Sequence, residues 1–393
     1  MLQKTLLTVL VFISVFASTA NSQINARMFG FPDVSETQIV FTYGNDLWIV
    51  DKTGGTAHRL SSPKGMETNA KFSPDGNQIA FTGNYEGNRD IFVISALGGI
   101  PERVTYHGFS DLMLDWNPDG KTLLFASSRN SGRQRFSQLY QIPVTGGLPQ
   151  KVELSYGDLA SYSPDGKQLA FNFNSRIYRN WKRYRGGAAP DIHIFDFKSN
   201  KSWNITNNDA TDEYPMWSGD QIYYLSDQGE AKRYNIWVYD TKSKKHEQIT
   251  KFTDFDIHYP SIGPKEIVFE AGGKLYLMNL NSKEYKEVNI NIINDQSTLI
   301  AKQVNPGKSI DWFDISPKGN RVIVEARGDI FSLPAEKGVT LNLTRTTGVA
   351  ERYPVWSPNG KYVAYWSDKT GEYQLQLHDM ETNKVKTVMN FDK

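Results

Sequence analysis

The sequence contains no cysteine. Disulfides, a thiolate nucleophile, a lipid-modified cysteine and Cys-ligated zinc are excluded together. Charge of one sign is also missing: 44 Lys and Arg against 43 Asp and Glu leave a formal +1, so no bulk field points to nucleic acid or to an anionic membrane. Past the first 20 residues there is no apolar run long enough for a transmembrane helix. There is no GxSxG elbow, and the pair His246-Glu247 has no second His at helical spacing, which removes two hydrolase signatures. No glycine loop has the form that cradles a phosphate, because the GG pairs fall between strands and read as turns. The six His residues, at 58, 107, 193, 246, 258 and 378, share no spacing and read as structural. The acidic stretches Asn207 to Pro215 and Thr253 to Pro260 lack the spacing of an EF-hand loop and read as solvated turns. No metal and no cofactor is expected.

Residues 1–20 have the form of a secretory signal: Lys4 supplies the positive start, Leu6 to Phe16 an apolar stretch, and Ser18-Thr19-Ala20 a small-residue cleavage site. A periplasmic or secreted protein is expected, with no stable membrane anchor once the signal is cleaved. Aromatic residues make up 13% of the chain, which suits strands.

The chain is organised by repetition. "FSPDGNQIAF" at Phe72 returns as "WNPDGKTLLF", "YSPDGKQLAF", "ISPKGNRVIV" and "WSPNGKYVAY", with degraded copies at Met216 and Tyr259 and an early one at Phe31, eight in all. Pro sets φ at the first turn position, Asp or Asn tolerates the next, and Gly takes the positive φ that reverses the chain. An apolar strand follows, then a third such as "DLWIVD" or "NIWVYD", then a short fourth such as "PERVT". Four antiparallel strands every forty to fifty residues or so, with no amphipathic helix, predict an all-β β-propeller of four-stranded antiparallel blades. One such sheet cannot bury both faces alone; set around an axis, each covers the next.

Copies one to six give a six-bladed propeller over 24–290, residues 291–307 read as a linker, and copies seven and eight, over 308–393, as the first two blades of a second, incomplete propeller. The competing arrangement is one eight-bladed ring. Blade one, from "RMFGF" to "AHRLS", and blade six, from "HYPSI" to "EYKEVNI", each own four strands, so no spare strand is expected to join the ends and closure is expected to rest on side-chain packing.

The candidate binding residues lie in two basic insertions. "SRIYRNWKRYRGG" carries Arg176, Arg179, Lys182, Arg183 and Arg185 among Tyr178, Trp181 and Tyr184, and "SRNSGRQRFSQLY" carries Arg129, Arg133 and Arg135 in the equivalent connection of blade three. Planar guanidinium forks suit carboxylates, and aromatic faces suit side chains. The plainer alternative is that these arginines pair with neighbouring Asp and Glu and brace the blades.

The segment Val322 to Leu375, with "NWKRYRGGAAPDIHIFD" and "IVFTYGNDLWIVD", resembles the tricorn protease family. The resemblance implies a six-bladed propeller followed by the start of a seven-bladed one. It also implies a catalytic serine, histidine and glutamate in C-terminal domains beyond Lys393, so no catalytic residue is expected in this chain. The implied role is the propeller region of an exported serine peptidase, admitting and channelling peptides, with Arg133 and Arg135 matched to arginines that hold a peptide's C-terminal carboxylate. The implied partners are peptides and the C-terminal peptidase domains, with homo-oligomerisation open. The alternative is a stand-alone periplasmic propeller, similar to TolB, that acts as a protein-binding module.

Overall fold

The structure, a computed structural model, describes residues 24–61, 64–132, 136–175, 183–293, 303–389 and 391. Each repeated turn closes a hairpin between a blade's first and second strands. In blade 2, Glu67–Phe72 pairs antiparallel with Gln78–Gly83. The Gly76 amide donates to the Ser73 carbonyl at 2.8 Å and the Gln78 amide to Ser73 Oγ at 3.0 Å. Gly76, Gly120, Gly166, Gly319 and Gly360 all sit at φ between +67° and +74°, so the repeated glycine is there because L side chains resist that conformation.

The chain divides after Asp295 into two units. The first holds six blades whose innermost strands are Gly30–Val34, Glu67–Phe72, Asp111–Trp116, Leu159–Tyr162, Asp212–Ser218 and Ile257–Ile262. Each touches its neighbours in order, and the last touches the first, so the ring is closed. The second unit holds two four-stranded sheets, Ile310–Asn342 and Glu351–Met389, packed through Ile323, Ile330, Val363 and Tyr365.

In the six-bladed unit the apolar clusters sit at the seams. Phe81, Ile79 and Phe92 of blade 2 pack with Val40 and Leu47 of blade 1. On its other face Ala80, Ile91 and Val93 pack with Met113, Leu123 and Phe125 of blade 3. Residues alternating along one strand therefore serve two different seams, which is why these strands are apolar on both faces.

The seam between blades 1 and 6 departs from the expectation of closure by packing alone. Ile290–Ile292 runs parallel to Gly55–Arg59 of blade 1, with Ile290 opposite Gly55 and Ile292 opposite Ala57, and Ile24–Asn25 pairs antiparallel along its other edge. Blade 1 thus becomes a six-stranded sheet. The sequence hides this strand because Val288, Ile290 and Ile292 continue one apolar alternation; all three are buried, yet the chain leaves blade 6 after Val288 and enters blade 1 at Ile290. Gly54, at φ +90°, makes the crossing possible, since a Cβ there would lie 2.5 Å from the Asn289 carbonyl oxygen. Burying Ile290 and Ile292 contributes about 2 kcal/mol each. Lys52 with Glu266 at 3.0 Å and Lys265 with Glu36 at 2.8 Å span the same seam.

Candidate functional site at the propeller axis

The six innermost strands surround an axial cavity of about 90 Å³. Ladder pairing shifts between Gly30 and Asp33, Thr68 and Lys71, Met113 and Asp115, Glu213 and Met216, and His258 and Ser261. These bulges turn one or two residues out of the pleat, toward the axis. In four blades the displaced residue has positive φ: Phe31 at +45°, Asn69 at +55°, Tyr214 at +59° and Tyr259 at +48°. Three of the four are aromatic and followed by buried proline, Pro32, Pro215 and Pro260. A bulky residue in that conformation costs about 1–3 kcal/mol, so the surrounding packing imposes it. The sequence carries a signal for these bulges: "FPD", "YPM", "YPS" and, in the second unit, "YPV" stand at one distance before their turns.

One step further along each strand comes a tier that is polar except at Met216: Asp33, Lys71, Asp115, Ser161 and Ser261. Its carboxylates act between blades. Asp33 of blade 1 accepts from the Phe72 amide of blade 2 at 2.6 Å and from the Ser261 hydroxyl of blade 6, and Lys71 Nζ lies 3.8 Å away and contacts Ser261 as well. Asp115 of blade 3 accepts from the Tyr162 amide of blade 4 at 2.9 Å and from the Trp116 amide at 2.9 Å. Burial pushes the Asp33 carboxyl up, against Lys71 and its hydrogen bonds. Burial likewise pushes Asp115 up to about 6, against the Tyr162 amide and the Lys71 charge. Both carboxylates are committed to holding neighbouring blades together.

On the side of the repeated turns the cavity meets a wider vestibule of about 790 Å³, lined by Ser35, Asp75, Pro118, Pro164 and Pro264 among others. Asp33, Phe72, Asp115, Ser161 and Ile262 line both spaces. The sequence repeat therefore builds the rim of one mouth.

Because the strands alternate in direction, loops between second and third strands emerge at the opposite face. The basic insertions are such loops. Arg129 lies at the base of the blade 3 insertion, where its Nη2 donates to both Asp111 carboxylate oxygens, at 2.7 and 2.6 Å, and its guanidinium lies over Phe125 and Tyr140. In the blade 4 insertion Arg185 pairs with Asp227 at 2.9 Å and Arg183 Nε donates to the Lys232 carbonyl at 3.0 Å, which ties the end of this loop to blade 5. Arg133, Arg135, Arg176, Tyr178, Arg179, Trp181 and Lys182 lie outside the described residues. Among the described residues no group of three His, Asp or Glu is arranged to hold a metal ion.

Residues 26–284 match the family model described as the tricorn protease N-terminal beta propeller domain. A tricorn protease homolog of Saccharolobus solfataricus is 26% identical over 341 residues, 85% of this chain and 31% of that protein. A Sulfurisphaera tokodaii protein named as a tricorn-like protease N-terminal subunit is 26% identical over 187 residues, 46% of this chain and 93% of its own length. The crystal structure of the tricorn protease matches with a TM-score of 0.75 at 21% identity, over 93% of this chain and 36% of that one, a likeness of fold. The chain spans about a third of the length of the long curated relatives it matches.

Proposed function

The chain belongs to the family of the tricorn protease N-terminal β-propeller, and on that premise we propose that it is the propeller region of a tricorn-like serine peptidase, admitting extended peptides along its axis and passing them to or from peptidase domains outside these 393 residues. The observation that supports this reading is the narrow axial cavity beneath a wider vestibule. The waist, at about 90 Å³, is roughly a ninth of the vestibule's 790 Å³. An extended chain can thread such a waist one side chain at a time, whereas a folded domain of 100 residues has a radius of gyration near ~13 Å.

Fluorescence anisotropy tests this reading with a fluorescein-labelled unstructured peptide and with the same sequence held inside a small folded domain. The free peptide is expected to bind and the folded one to be excluded. An Ala160→Trp variant, which crowds the waist from a position packed between blades 3 and 4, is expected to lose binding when compared with the unmodified protein at a temperature where calorimetry shows both to be folded. Equal binding of both probes would overturn the reading.

We further propose export, on the strength of the signal-like residues 1–20. N-terminal sequencing of the native protein from fractionated host cells is expected to start shortly after Ala20, in a periplasmic or secreted fraction. An intact Met1 in the cytoplasmic fraction would overturn it. A blot of the same extract measures the native mass. A band well above 44.6 kDa agrees with a longer peptidase, and one just below it agrees with a separate subunit or a stand-alone binding module.

A further inference from the structure

Asn69 is the one carboxamide at its level of the channel. The equivalent positions carry Phe31, Tyr214 and Tyr259, and Met113 and Leu159 line the cavity from blades 3 and 4. Asn69 is nine-tenths buried as a residue and lines the axial cavity, and its side-chain amide, which makes no hydrogen bond among the described residues, stays open to that cavity. Its neighbours in the polar tier differ in this respect, since Asp33, Lys71, Asp115 and Ser261 are all occupied by one another or by backbone amides. An amide open to a cavity keeps its hydrogen-bonding capacity for whatever enters that cavity. Here the backbone is also held at φ +55°, inside the bulge between Thr68 and Lys71, which aims the residue at the axis.

The chemistry of the group narrows what it can meet. A carboxamide offers two N–H donors and one carbonyl acceptor within a plane. A peptide unit offers one N–H and one C=O. At its own level the walls beside Asn69 are tyrosine, phenylalanine, methionine and leucine side chains backed by prolines, and the charged groups of the next tier, Asp33, Lys71 and Asp115, are engaged with one another, with Ser261 or with backbone amides. We propose that Asn69 hydrogen-bonds the main chain of a peptide lying in the waist, donating from Nδ2 to a carbonyl and accepting at Oδ1 from an N–H. The waist then selects for a main chain bearing N–H groups. This inference rests on the peptide-channel reading and names the group that does the reading.

The test is a cycle between protein and ligand. The probes are a fluorescein-labelled Ala-Gly hexapeptide with free termini and versions of it N-methylated at one internal position at a time. The proteins are the full chain, Asn69→Gly, which keeps the positive φ and removes the amide, and Asn69→Asp, which keeps the shape and φ tolerance but cannot donate. In the unmodified protein N-methylation at one position is expected to weaken binding about tenfold, the effect of one lost hydrogen bond. Asn69→Gly and Asn69→Asp are each expected to weaken the parent peptide by about tenfold or more, and Asn69→Gly to abolish the penalty of N-methylation. If the peptide binds but all three proteins bind it equally, or the penalty persists in Asn69→Gly, the role of Asn69 is overturned and the channel reading stands. If the unmodified protein does not bind the peptide at all, both fall.

Discussion

Phe31 of the first blade and Tyr259 of the last face each other across the closing seam, with ring centroids 4.4 Å apart and planes at 44°. Both residues sit at positive φ and both precede a proline. The two ends of a ring built from repeats thus meet through a matched pair of strained residues, and that pair is also part of the wall of the axial cavity. Packing at the seam and the shape of the channel are coupled there. Replacing Tyr259 by Ala removes the ring contact without relieving the backbone, because alanine resists positive φ as well. A loss of about 1–2 kcal/mol is expected. In a unit of this size that is a fall of about 3–8 °C in melting temperature. Calorimetry measures it, and an unchanged transition would show that the pair contributes nothing to closure.

The closing strand makes a stronger demand. A methyl group at position 54 would meet the Asn289 carbonyl oxygen at 2.5 Å while the backbone stays at φ +90°. Gly54→Ala is therefore expected to cost about 2–4 kcal/mol by combining overpacking with backbone strain. Hydrogen exchange at Ile290–Ile292 and Gly55–Ala57 is the direct readout. In the unmodified protein these amides should be protected as well as those of other seams, and in Gly54→Ala they should exchange first. Fast exchange in the unmodified protein would mean that the strand does not close the ring.

How much of this was legible beforehand follows from which interactions are local. The hairpin turns are, since Ser73, Pro74, Asp75 and Gly76 determine their own geometry within four residues, and every well-formed copy announced its sheet. From those turns the all-β, four-stranded blades could be read. The closing strand could not, because its partner is more than 200 residues away and Val288, Ile290 and Ile292 alternate without a break. Asn69 was hidden for another reason. A lone Asn before an SPDG turn looks like any polar residue until the inner strands converge and deprive it of partners. Arg129 shows the opposite case: a basic residue in a candidate insertion proved to be a buried brace, because Asp111, 18 residues earlier, returns beside it.

Protons report on the axial tier. Asp115 has a folded pKa pushed up to about 6 by burial, from an ordinary value of 3.8. Between these two values the folded state holds a proton that the unfolded state has released, so stability falls as pH rises through the window and is level on either side. Lowering the pH from 6 toward 4 should thus add stability through this group. Asp115→Asn should remove that part of the slope while leaving the contributions of ordinary surface carboxylates. Urea midpoints taken at steps from pH 4 to 7 measure the difference, and parallel curves for the two proteins would contradict the assignment.

The basic residues divide by burial. Removing Arg129 leaves the Asp111 carboxylate, fully buried, without its counter-ion, and breaking such a pair costs about 3–5 kcal/mol. Arg185 is more open, with 31% of its side chain exposed, and the buried Asp227 keeps a hydrogen bond from the Thr211 amide when Arg185 is removed, so this pair is screened and replaced more readily. Arg185→Ala is expected to cost about 1 kcal/mol. Denaturant titration of the two variants separates the cases. Similar losses would mean that the blade 4 insertion is braced as firmly as the base of the blade 3 insertion.

Arg133 and Arg135 follow Arg129 by four and six residues in the same connection. The ion pair between Arg129 and Asp111 pins the start of that loop to the blade. Planar guanidinium groups suit recognition of a carboxylate, and we propose that role for Arg133 and Arg135. The double variant Arg133→Ala with Arg135→Ala is therefore expected to weaken peptides ending in a free carboxylate by about tenfold to a hundredfold, the worth of one or two charge-assisted hydrogen bonds. C-terminally amidated peptides of the same sequence should bind both proteins alike. Anisotropy with the two peptide forms decides the matter: equal loss for both would make the arginines a general electrostatic attraction, and no loss for either would remove them from the binding site.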